Sequence, residues 1–401
     1  MNANQIHATF EATLNLISSG KLKNAFDNTK LLVDDLQLGL YTDRFYELQQ
    51  NYRYLLDYFI SGIEDPERKI VYNKIVAKLF TLNYELHEEL MFRNSSNFEY
   101  TQQRYFPHTK RYLTTKELLI SLNYYHSQTT LIGNLQDTHD AELKRLRLNY
   151  ETALSELFKN YWLTKYYSSD DKDIFIKLLQ TDDFDKPEKA LLISSLTLNL
   201  WRMFDESKLM LLLDCCLHVN QTVKQRALVG LCFVLIKYNR FLIFFPSVRN
   251  RLVLLADDNQ TLKNFRNIII QIISTVETDK ITKKLREEIL PEVMKISPLL
   301  KDKMDAESLL KSDEWEEGNP EWQKKKKKSG VSDKLQELSE LQMEGADVYM
   351  STFSMLKSFP FFNDIANWFI PFDTRFSSIS ELFTTEDKSI LSAFVGNNAM
   401  C

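Results

Sequence analysis

The sequence predicts an all-α protein, an α-solenoid of stacked antiparallel helical hairpins, and three observations lead there. First, Asn220-Gln221-Thr222-Val223-Lys224 returns as Asn259-Gln260-Thr261-Leu262-Lys263, 39 residues on. A period near 40 residues marks helical units that cannot bury their apolar faces alone. Second, only nine glycines and nine prolines occur in 401 residues. Third, apolar residues recur at spacings of three and four, while strand-like alternation between turn signals is hard to find.

Taken in order, residues 3–35 predict two helices joined at Ser18-Ser19-Gly20, with Gly20 ending the first. Residues 41–92 predict two more, divided at Asp65-Pro66-Glu67-Arg68. Tyr46, Tyr52, Tyr54, Tyr58 and Phe59 could form an aromatic surface, but at helical spacing inter-helix packing is the expected reading. Residues 93–114 read as a loop, broken at Asn94-Ser95-Ser96-Asn97 and extended at Phe106-Pro107-His108. Thr114-Thr115-Lys116-Glu117 offers hydroxyl caps for a helix to about Asn134, and a longer one runs over residues 138–167. Asp137-Thr138-His139-Asp140 reads as the start of that helix rather than as a ligand cluster.

The repeat block starts after Ser168, with residues 209–217 and 251–256 as first helices of the hairpins. Phe241-Leu242-Ile243-Phe244-Phe245-Pro246 should pack beneath the next repeat. Within the block, Val223-Lys224-Gln225-Arg226-Ala227-Leu228-Val229-Gly230-Leu231 resembles the second helix of HEAT and armadillo-like repeats, in which small residues allow close packing. The outer copies depart from it, with Arg266 in place of Ala227 and Lys186 in place of Val223. Gly20-Lys21-Leu22-Lys23-Asn24-Ala25 is similar to the turn of a tetratricopeptide helix pair. These resemblances imply a superhelix that binds partners on an extended surface, and no activity.

Four divisions follow: N-terminal hairpins over 1–167, the repeat block over 168–280, a charged linker over 281–332, and an aromatic-rich helical segment over 333–401. In the last, Trp368-Phe369-Ile370-Pro371-Phe372 should be buried, and the chain reads as a fragment whose next repeats are missing. The linker holds an acidic block with Trp315 and Trp322, then Lys324, Lys325, Lys326, Lys327 and Lys328. These seven residues are the candidate partner-binding set: ammonium groups for the phosphates of nucleic acid or anionic lipid, indoles for stacking.

Chemistry is sparse. The chain has no GxxxxGK[ST], GxGxxG or HExxH pattern, and its six histidines are not spaced as ligands on one helix. Glu88-Glu89 reads as a solvated pair of carboxylates. Cys215, Cys216 and Cys232 read as small core residues, which with Cys401 fit a reducing compartment. No secretory signal or spanning run is visible, so a cytoplasmic protein without cofactor or metal is expected. A net charge of −5 argues against nucleic-acid binding through the overall field. The expected function is a non-enzymatic scaffold for a protein partner; the alternative is a helical-repeat protein that binds nucleic acid through residues 324–328.

Overall fold

A computed structural model describes residues 1–62, 65–106, 114–133, 140–181, 184–275, 283, 287, 360–370 and 376. The protein is all-α, with no strand among the described residues. Two compact units divide it: Met1–Tyr124 with Glu156–Leu262, and Tyr125–Ser155 with Lys263–Cys401.

The first unit opens with four helices, α1 (Ala3–Ser18), α2 (Leu22–Leu36), α3 (Gly39–Ile60) and α4 (Arg68–Asn94). Asn2 and Gln5 form a capping box at the start of α1, each side chain accepting the other's backbone N–H, at 2.9 and 3.0 Å. Gly20 turns the chain into α2 at φ 74°, a left-handed backbone that glycine adopts without strain. Ala25 is fully buried in α2, and Ile6, Phe10, Leu14 and Ile17 form the buried stripe of α1. All of these pack around α4.

Helix α4 has no solvated face over Leu82–Glu88, where seven consecutive residues are buried. Among them Asn83 exchanges hydrogen bonds with Thr29, Nδ2 donating at 2.9 Å. Glu88, expected to be solvated, is also buried. Sequence periodicity treats α4 as amphipathic throughout; over this stretch it is instead a central helix enclosed on all sides.

A further short helix, α5 (Phe98–Tyr105), occupies what reads as loop in sequence. The break at Asn94–Asn97 is present, but tertiary contacts hold the next eight residues helical. Arg104 Nη2 donates to Ser95 O at 2.7 Å, and the buried Tyr100 donates to Glu88 Oε2 at 3.3 Å. Helices α6 (Thr115–Gly133) and α7 (Asp140–Leu163) follow as expected, each running from the first unit into or out of the second.

The repeat block comprises α8 (Ser169–Gln180), α9 (Lys186–Arg202), α10 (Glu206–Cys215), α11 (Gln221–Tyr238), α12 (Pro246–Ala256) and α13 (Asn259–Ser274). Helix α9 packs along α11, and α10 packs against both α9 and α12. The two Asn-Gln-Thr turns do open helices, though not in one register. Asn220 Oδ1 accepts from Thr222 N at 3.0 Å, whereas in the second copy Asp258 Oδ1 accepts from Gln260 N at 3.0 Å and Asn259 is already helical. Lys224 on α11 pairs with Asp258 at 3.2 Å, tying one turn to the next.

The aromatic segment Phe241–Pro246 is buried at Phe241, Leu242 and Phe245, with Ile243 exposed. It packs on α4 as well as on the repeat block, where Phe245 meets Phe204 with centroids 4.7 Å apart. Phe80 stacks on Phe241 with centroids 4.3 Å apart and meets Phe204 edge-on at 5.0 Å, so α4 is sealed to the repeat block within the same unit. Cys215, Cys216 and Cys232 are buried as expected, and burial pushes the thiols of Cys216 and Cys232 up to about 12.

In the second unit, Asp364 accepts from Ala366 N at 3.0 Å and from Ser155 Oγ at 2.5 Å. Ile370 is buried, but Trp368 lies on the surface, its indole donating to Phe362 O at 2.9 Å. The expected burial of this segment therefore holds at Ile370 and not at Trp368; Pro371 and Phe372 lie outside the described residues.

Close packing of α9 on α11 depends on Gly230. A Cβ there would lie 2.2 Å from Thr197 Oγ1 and 3.2 Å from its Cβ and Cγ2, so even one carbon displaces Thr197. Gly230→Leu should cost on the order of 1–3 kcal/mol in chemical denaturation, and Thr197→Ala in the same chain should recover part of it. An unchanged midpoint for Gly230→Leu would refute this packing.

Candidate interaction surface

Lys324 to Lys328, Trp315 and Trp322 lie outside the described residues, as does the Asp137–His139 cluster. The described residues offer two other groupings of polar and aromatic groups, one buried and one exposed.

The buried grouping surrounds the C-terminal end of α7, where the last carbonyls of a helix lack intrahelical partners. Asn199 Nδ2 donates to the carbonyls of Tyr161, Trp162 and Thr164 at 3.0, 2.9 and 2.8 Å. Lys208 Nζ donates to Thr164 O at 3.1 Å, Lys165 O at 2.6 Å and Asn199 Oδ1 at 2.8 Å, and sits 4.2 Å from the Tyr167 ring centroid. Arg202 Nη2 donates to Leu163 O at 3.1 Å. Its Nη1 meets Glu88 Oε1 at 2.5 Å as an ion pair without the alignment of a hydrogen bond. Gln103 Nε2 closes the ring, donating to Glu88 Oε1 at 3.3 Å and Leu163 O at 3.2 Å.

Cations at a helix C-terminus are favoured by the dipole. Burial opposes that charge on Lys208 and pulls its ammonium down to about 7. The donors of Asn199, Lys208, Gln103 and Arg202 Nη2 are aimed at backbone or at another member, while Arg202 Nε has no hydrogen-bond partner among the described residues. Its chemistry is that of a joint between α4, α7, α9 and α10.

Nearby, His7 on α1 and His87 on α4 approach at 3.3 Å, a pair that spacing in the sequence could not reveal. Burial, with the charges of His7 and Lys237, lowers His87 to about 3. Its ring stacks on Phe10 with centroids 4.1 Å apart. No group of three or more His, Cys, Asp or Glu placed to hold a metal ion exists among the described residues. No helix among them is long and apolar enough to cross a membrane.

The exposed grouping lies at the far end of the α3–α4 pair. Buried residues of α3 stop at Leu48 and those of α4 start at Ile75. Beyond them Tyr54, Leu56, Tyr58, Phe59, Ile60 and Ile70 all lie on the surface, as does Tyr46 nearer the start of α3. The tyrosines expected to pack between helices thus face outward, apart from Tyr52, which stacks on Phe26 at 5.2 Å.

Between the two helices runs a groove of about 390 Å³, floored by Leu48, Leu55, Val71 and Ile75. Tyr54 and Tyr58 wall one side; Arg68, Lys74 and Lys78 wall the other. Gln50 Nε2 donates to Tyr54 OH at 2.6 Å and fixes that ring, while the Arg68 guanidinium lies 5.0 Å from the Phe59 centroid. Lys74 and Lys78 also line a second groove of about 290 Å³ with Phe244, Phe245 and Pro246. The second groove also carries Arg44, Thr81 and Glu206, so the apolar slot is the one between α3 and α4, with Lys74 and Lys78 on the ridge that the two grooves share.

No protein-family model, curated protein or solved structure matches the chain.

Two outcomes test the buried groups. Arg202→Met strands Glu88 in the interior and should cost about 3–5 kcal/mol; Glu88→Leu with Arg202→Met should cost less than the two single losses together, as measured by a double-mutant cycle in urea. For His87, the folded value lies below the ordinary 6.5, so the unfolded chain takes up the proton first as pH falls. Stability is therefore lost from pH 6.5 downward, by about 2 kcal/mol at pH 5, and His87→Leu should show a smaller loss over the same range.

Proposed function

We propose that the protein is a non-enzymatic interaction scaffold, a helical-repeat stack of HEAT-like or tetratricopeptide-like hairpins that docks a protein partner on the outer end of α3 and α4. The observation that carries this reading is the exposed aromatic slot between those helices. Tyrosines supply large contact area at low entropic cost and are enriched where interfaces concentrate their binding energy. The apolar floor, shaped before any partner arrives, limits the ordering cost of association. The stacking of α9 on α11 and of α10 on α12 supports the repeat reading, and the buried thiols suit a reducing compartment such as the cytoplasm. The nucleic-acid reading rests on Lys324 to Lys328, outside the described residues.

Affinity purification from native cells, after nuclease treatment, compares the tagged wild type with Tyr54→Ala/Tyr58→Ala. The wild type should retain a stoichiometric protein partner, and the variant should lose at least about tenfold in recovery while its unfolding free energy stays within about 0.5 kcal/mol of wild type. A partner held equally by both chains would remove the slot from the function, and a partner lost with nuclease would favour nucleic acid.

A further inference from the structure

The chemistry of the slot also selects its occupant, an inference that rests on the docking surface proposed above. Its two walls repeat one spacing. Leu48, Asn51, Tyr54, Leu55 and Tyr58 on α3 fall at intervals of three, three, one and three; Arg68, Val71, Lys74, Ile75 and Lys78 on α4 fall at the same intervals. This places each set on one helical face. The α3 face is apolar and aromatic, whereas the α4 face alternates aliphatic floor residues with cations.

Arg68 lies over the Phe59 ring, but the charge of these cations is not neutralised by an acid. Among the described residues Arg68, Lys74 and Lys78 make no ion pair, although the chain as a whole carries a net charge of −5. The acid of the lining, Asp65, has Oδ1 engaged by Glu67 N at 2.8 Å, which holds the turn into α4. From Arg68 to Lys78 the row spans about 15 Å along the helix axis. It is the length of a short peptide segment.

We propose that the α3–α4 slot binds an acidic peptide segment of a protein partner, whose carboxylates meet Arg68, Lys74 and Lys78 while its apolar side chains enter the floor between Leu55 and Ile75. A neutral apolar segment would leave the lysine row unused, and a basic one would be repelled by it. Nucleic acid fits the cations and can stack on Tyr54 and Tyr58, but it leaves the aliphatic residues Leu48, Leu55, Val71 and Ile75 unfilled, whereas apolar peptide side chains fill them.

The test is selection of a random 16-residue phage-displayed peptide library on the full chain, with counter-selection on Tyr54→Ala/Tyr58→Ala. The enriched pool should be net acidic with apolar residues interspersed. In fluorescence polarisation its best member should bind Lys74→Glu/Lys78→Glu about tenfold more weakly than wild type, and the same peptide with lysine in place of its acids should regain affinity for that variant. The charge swap separates lost recognition from a misfolded variant. An enriched pool that is neutral or basic, or that ignores the charge reversal, overturns the acidic occupant while leaving the docking reading standing. No enrichment over the tyrosine variant overturns both. Tighter binding of a 12-nucleotide oligothymidylate than of any selected peptide, lost on Lys74→Glu/Lys78→Glu, would assign the slot to nucleic acid instead.

Discussion

The ion pair between Glu88 and Arg202 is the constraint around which the first unit is arranged. Two opposite charges share an interior site, and neither can be removed without leaving the other unmatched. Such a pair adds less to stability than its geometry suggests, because both ions were solvated before folding. What it supplies is register: α4 and α9 have one relative position in which Oε1 meets Nη1. Arg202 then reaches the carbonyl end of α7, where Asn199 and Lys208 already serve the neighbouring oxygens. The free end of one helix thus becomes the acceptor set that fixes two others.

Much of this frame is legible in the sequence, and the reason for each success is local. Gly20 ends α1 because a left-handed residue is needed there, and Asn220 opens α11 because its amide oxygen reaches two backbone N–H groups. Ala227 and Gly230 announce close packing because small residues in an apolar helix have few other uses. The misses are equally physical. Glu88 reads as solvated, since a sequence records polarity but not the distant partner, here Arg202, that neutralises it. Helix α5 is too short for periodicity to register, and its helical state depends on Arg104 and Tyr100 meeting α4 and Ser95. Phe241 and Phe245 are plainly core-forming, yet nothing local says that Phe80 of the distant α4 receives them together with Phe204.

The repeat itself shows how far a motif can be carried. Both Asn-Gln-Thr turns start helices, but Asp258 takes over the capping role that Asn220 plays in the first copy. A side-chain oxygen at the cap is what the turn requires; which of two adjacent residues supplies it is free to vary. The same tolerance applies along the helix. Arg266 replaces Ala227 without ending α13, since the requirement for a small residue comes from the helix packed against it and not from the helix alone.

The aromatic slot has a geometric origin. Helices α1 and α2 contain 16 and 15 residues, whereas α3 and α4 contain 22 and 27. At 1.5 Å per residue the second pair is longer by about 9 Å or more, so its outer end outruns the cover that α1 and α2 provide. Tyr52 stacking on Phe26 marks where cover ends on α3, and Tyr72 beside the Gly20 turn marks it on α4. Past these points an ordinary solvated hairpin would carry charged residues on every face. Here the uncovered stretch keeps Tyr54, Leu55, Tyr58 and Val71 next to the buried Ile75, the composition of a packed helix face, with Arg68, Lys74 and Lys78 set along its margin. Helices that shed their intramolecular partner but keep its apolar contact surface have the form of an interface prepared for a second molecule.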